Sequence, residues 1–101
     1  MIYLIILSFI LLIIDWAQTT TIARHPEKWH ENHFPDGIAD IIGEHPTQST
    51  VNLWFGAWAL IIGAGLAFLP DWARVVMLIV VIGLEARVVY RNFKAGIYPL
   101  D

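Results

Sequence analysis

The chain has 101 residues, of which 57% are hydrophobic and only 15% charged, with a net charge of −3. A soluble domain carries about 25% charged residues, so the composition points to a membrane protein. With six Lys and Arg in all, a basic nucleic-acid interface and a polybasic lipid anchor are excluded, and the lack of cysteine removes disulfides, thiol catalysis and thiolate metal ligands.

Three uncharged runs, residues 1–14, 51–69 and 75–84, organise the sequence. The first stops at Asp15, and fourteen residues at ~1.5 Å each reach about 21 Å, short of a ~30 Å hydrocarbon core. The following Trp16-Ala17-Gln18-Thr19-Thr20-Thr21-Ile22-Ala23 contains no Gly or Pro, so the helix is predicted to continue to about residue 23. It then carries Asp15 and Gln18 into the membrane, where an acid is costly and marks a functional-site candidate. This opening segment lacks the basic start and small-residue cleavage pattern of a signal peptide and reads as a retained helix.

A polar connector, residues 24–50, comes next, with all four histidines and three of the five prolines. It is long for a structureless loop, and residues 38–43 suit a short amphipathic turn ended by Gly43. His25, His30 and His33, with Glu27 and Glu31 between them, have the donor chemistry of a zinc site, and His45 is a further candidate ligand. Their spacing follows no known ligand signature, and Pro26 and Pro35 limit a shared helical face, so a solvated loop is the favoured reading. His30 and His33 also stand one residue too close for the His-Glu-x-x-His pattern of metalloproteases.

The second apolar run is bounded by Pro46 and Pro70, and the third follows the tight turn Leu69-Pro70-Asp71-Trp72. Helices over about 51–69 and 72–92, so joined, are antiparallel neighbours. Gly56, Ala59, Gly63 and Ala67 form a small-residue stripe at spacings of three, four and four, a predicted helix-packing face for a bilayer, where lipid offers no hydrophobic drive between helices. Placing the connector and carboxyl-terminal segment in the cytoplasm puts Arg24, Lys28, Arg87, Arg91 and Lys94 inside and only Arg74 outside. The positive-inside bias then predicts an amino terminus out and a carboxy terminus in.

Depth follows from that orientation. Asp15 and Glu85 both fall about 20 Å below the outer boundary at ~1.5 Å per residue, in the inner third of the bilayer. Asp15, Gln18, Asn52, Glu85 and Arg87 therefore form a candidate intramembrane polar cluster. Ser8, Asp15, Gln18, Thr19 and Ile22 share one helical face; Glu85 and Asn92 share another, with Arg87, Arg91 and Lys94 on a third. Either Arg87 pairs with an acid as a structural clasp, or the carboxyl groups line a polar cavity, or Asp15 lies at a thinned interface. No phosphate loop, nucleophile elbow or paired intramembrane Asp is present, so no enzyme is predicted.

Several segments resemble a group of small inner-membrane proteins of proteobacteria and their phages. They are Asp15-Trp16-Ala17-Gln18-Thr19, Ala23-Arg24-His25-Pro26, Ile42-Gly43-Glu44-His45-Pro46, Val51-Asn52-x-Trp54-Phe55 and Val89-Tyr90-Arg91-Asn92-Phe93-Lys94-Ala95-Gly96. Where that group tends to carry Glu-x-Asn-Pro, this chain has Gly37-Ile38-Ala39-Asp40. The resemblance implies a three-span membrane protein and draws attention to Asp15, Gln18, His45 and Asn52; it brings no activity with it.

The sequence thus predicts an all-α fold, with three transmembrane helices in one integral membrane domain over residues 1–101, placed in a bacterial inner membrane. The expected function is non-enzymatic, by helix association with itself or with a host membrane protein, as a modulator or exclusion-type factor. A holin-like lesion former is one alternative, and a small metal- or proton-handling membrane protein another. The expected partners are the lipid bilayer, a second copy or a host membrane protein, without nucleic acid and with zinc as the one conceivable cofactor.

Overall fold

A computed structural model describes residues 1–25 and 47–101. Those residues are helical, without strands: α1 spans Ile2–Arg24, α2 Gln48–Phe68 and α3 Asp71–Lys94. Helix α1 runs through Asp15 without a break, as the absence of Gly and Pro requires. Helix α2 starts three residues before the apolar run, because Thr47 is its N-cap: the Thr47 hydroxyl accepts from the Thr50 N–H at 3.2 Å. Such a cap stabilises a helix by about 1 kcal/mol. Pro70 separates α2 from α3 and sits as the N-cap of the latter, where its missing N–H costs nothing. Asp71 in the first turn of α3 suits the helix dipole and accepts from Arg74 at 3.0 Å.

Helices α1 and α2 are long and apolar enough to cross a membrane. The 24 residues of α3 reach about 36 Å, but Arg74, Glu85 and Arg87 interrupt its apolar run, and α3 does not meet the same standard.

The middle position belongs to α1, which packs extensively on both other helices, whereas α2 and α3 touch each other little. The core joins Leu12 of α1, Val51, Phe55 and Ile62 of α2 and Val81 of α3, with Phe9, Trp16, Trp58 and Met77 around them. A second, smaller contact joins Ile22 to Ile97, both sealed from solvent. Near the α2–α3 turn, Met77 fills the notch left by Gly65, where any Cβ would collide with its sulfur.

The small-residue stripe departs from expectation as an internal packing face. A Cβ built on Gly56 or Gly63 meets nothing within 4 Å, and Ala67 is exposed. Only Ala59 packs against the core, and it is half-buried. The inward edge of α2 is instead Val51, Phe55 and Ile62, whose bulk matches Phe9, Leu12 and Trp16. Gly56 and Gly63 each follow one of these by a single residue, which turns them about 100° away.

Candidate functional site

The candidate site grows out of the second half of α1. Every residue from Ala17 to Ile22 is buried, as is Asp15, whereas an ordinary amphipathic helix buries one stripe. A helix enclosed on all sides must satisfy its polar side chains within the protein, because unpaired polar groups in an apolar setting are expensive. Three separate sets of contacts do this.

Towards α3, the Thr19 hydroxyl donates to the Asp15 backbone oxygen at 2.8 Å and reaches its carboxyl Oδ1 at 3.3 Å. The Asp15 and Glu85 carboxyl groups are neighbours across this seam. The second oxygen of Glu85, Oε2, is shielded from solvent and has no hydrogen-bond partner among the described residues. One turn further along, Gln18 and Asn92 form an amide pair: Asn92 Nδ2 donates to Gln18 Oε1 at 3.1 Å, and Gln18 Nε2 donates to the Val89 carbonyl at 3.3 Å. Gln18 is fully buried and Asn92 nearly so.

Towards α2, the Trp16 indole donates to Asn52 Oδ1 at 2.9 Å. Gln48 Nε2 donates to the same oxygen at 2.9 Å and to the Thr20 hydroxyl at 3.2 Å. Asn52 itself is exposed and belongs to this flank of α1.

The third set comes from the segment after α3. Gly96 turns the chain with φ 87°, a left-handed conformation that glycine adopts without a Cβ clash. The Ile97 N–H then donates to the Asn92 carbonyl at 2.9 Å. The Thr21 hydroxyl donates to the Tyr98 carbonyl and accepts from the Asp101 N–H at 2.9 Å. The Leu100 N–H donates to the Ala17 carbonyl at 3.0 Å, and the His25 ring Nε2 lies 3.0 Å from the Asp101 backbone oxygen.

Of the five residues expected to cluster, Asp15, Gln18 and Glu85 line one seam between α1 and α3, Asn52 sits on the opposite flank, and Arg87 stands apart. Arg87 is exposed and makes no ion pair among the described residues. The expected Arg87 clasp is therefore corrected: Arg87 follows Glu85 by two residues, about 200° around the helix, so it points away from the seam that Glu85 faces. Ser8 is buried but satisfied locally, donating to the Leu4 carbonyl at 2.8 Å. His30, His33 and His45, together with the connector turn at 38–43, lie outside the described residues. Among the described residues no group of three or more metal-ligating side chains occurs.

Sequence reasoning placed Asn92 on the Glu85 face but did not pair it with Gln18, and it missed the docking of residues 95–101 altogether. Two signals were available. Three consecutive threonines close an otherwise apolar helix, and glycine follows a Lys-Ala pair at the end of α3. Each marks a place where backbone from elsewhere finds a partner or turns.

The resulting seam has two carboxyl groups, a hydroxyl and two amides in an enclosed setting. It can share a proton, or hold helices in register through directed hydrogen bonds. The chain matches no family model, no curated protein and no solved structure.

Proposed function

We propose that this chain is a non-enzymatic, three-span inner-membrane protein that works by helix association, with a second copy or with a host membrane protein whose behaviour it modifies. The supporting observation is the outward side of α2. Gly56 and Gly63 stand in open space while Leu53, Leu60, Ile61 and Phe68 are exposed beside them. Small residues flanked by large apolar ones let another helix approach closely, which in lipid is the main source of association energy. Including α3 as the third span puts the second half of α1, the start of α2 and the end of α3 on the cytoplasmic side, in keeping with the Lys and Arg distribution. Kinship with small inner-membrane proteins of proteobacteria and their phages belongs to the same proposal.

The cysteine-free chain makes the test direct. A Gly63→Cys variant in native membranes treated with copper–phenanthroline as oxidant should give a disulfide-linked dimer or a stoichiometric adduct with a partner carrying an engineered cysteine. The same variant with Gly56→Leu added should lose it. A Gly63→Cys chain that stays monomeric and brings down no stoichiometric partner after gentle extraction overturns the proposal.

The acid pair favours a second reading, proton handling. Asp15 and Glu85 face each other without a cation between them, and Glu85 keeps one oxygen free for a donor. Reconstituted vesicles would show a proton leak that Glu85→Gln abolishes; equal leak in both, or none in either, removes this reading.

A further inference from the structure

We propose that residues 95–101 form a strap, hinged at Gly96, that closes the end of the α1–α3 seam nearest the end of α3 and whose release admits water to the Gln18–Asn92 pair and to Asp15. The seam is ordered along α1: Asp15 comes first, the buried Gln18–Asn92 amide pair lies a turn closer to the strap, and the strap crosses from the end of α3 to the last turns of α1. It leaves α3 through the Ile97 N–H bond to the Asn92 carbonyl at 2.9 Å, which caps the end of that helix, and reaches α1 through the Leu100 N–H on the Ala17 carbonyl at 3.0 Å, one residue before Gln18.

The strap is held in a manner that suits release. Of its side chains only Ile97 is an apolar anchor, at 0% exposure, whereas Tyr98 and Leu100 are more than half exposed. Leu100 has φ 53°, a left-handed conformation that disfavours a residue with a Cβ and persists only when contacts hold it. Those contacts are few: the Leu100 N–H on the Ala17 carbonyl, the His25 ring beside the Asp101 oxygen, and the Thr21 hydroxyl, which binds Tyr98 and Asp101 together. A segment with one buried side chain and few backbone bonds belongs to the low-stability end of a protein and opens well before the helices separate. Gly96 supplies the pivot, because its positive φ ends α3 and leaves the helix itself intact when the strap swings away.

This inference uses the geometry of α1, α3 and the strap alone, and stands whether the carboxyl pair carries protons or only registers the helices. The test uses Thr19→Cys as the sole cysteine, since Thr19 is buried against Asp15, and a water-soluble, positively charged methanethiosulfonate as the probe. In the otherwise unaltered chain in detergent micelles, labelling should be slow. Ile97→Asp, which places a charge in the anchor's apolar socket, should raise the rate by about tenfold or more, as opening of a closed segment does. Ile97→Val should leave it slow, and a chain ending at Gly96 should label as fast as Ile97→Asp. Fast labelling of the intact strap overturns the proposal whatever the variants do, and so does a rate that stays within twofold when the strap is cut or its anchor charged. Circular dichroism identifies a variant that has lost its helices; the intact chain and Ile97→Val then decide the matter.

Discussion

The two halves of α1 belong to one unbroken helix but solve different problems. From Ile2 to Ile14 it is a lipid-type helix with Tyr3, Ile6, Ile10 and Ile13 exposed and a single polar residue, Ser8, satisfied by its own backbone. From Asp15 to Ile22 it is a core helix, with α2, α3 and the strap around it and every polar side chain except Trp16 buried. In the first half, Phe9 and Leu12 pack on α2 and α3, but the remaining apolar side chains have no directed partner. The second half has directed hydrogen bonds, which specify a neighbour, a register and a rotation. The polar residues thus add direction and register to an arrangement that the apolar core also shapes.

Mutations sharpen this contrast. The largest loss is expected from Ile97→Ala, which removes the fully buried anchor beside Ile22. Unfolding in a denaturing detergent titration should show a destabilisation of about 3 kcal/mol, typical of a large-to-small core change. Next comes Gln18→Ala, which orphans Asn92 Nδ2 and should cost about 2 kcal/mol. Combining it with Asn92→Ala should cost clearly less than the two single losses added, because both act on one interaction. Trp16→Phe removes the indole donor to the exposed Asn52 and should cost about 1 kcal/mol. The first half of α1 provides the opposite limit: Ile6→Leu and Ile13→Leu should shift stability by less than about 0.5 kcal/mol. Equal losses in the two halves would erase the distinction.

The boundaries of the three helices were legible because they depend on local chemistry. Proline at 70 and the missing breaker after Asp15 act within a turn of where they stand. The facing of Asp15 and Glu85 was partly legible as well, since matching depth on two helices needs only a rise per residue. Rotation was not. Whether Arg87 or Glu85 turns inward, and whether Gly56 or Phe55 does, depends on how α1 inserts between its partners. In a helix apolar all round, no hydrophobic stripe announces that choice. The pairing of Gln18 with Asn92, 74 positions apart, is set by the same rotation and stays hidden for the same reason.

The Thr21 hydroxyl imposes a consequence on biogenesis. Its distant partners, Tyr98 and Asp101, lie 77 and 80 positions downstream, so α1 leaves the ribosome long before they exist. Synthesis runs at about 5–20 residues per second, which leaves the nascent helix waiting several seconds with Gln18 unmatched and Thr21 bonded only to its own helix through the Ala17 carbonyl. In the proposed membrane setting, the insertion machinery or water at the bilayer surface stands in for the missing neighbours during that interval, and the newborn segment should insert poorly on its own and settle only when the third helix arrives behind it.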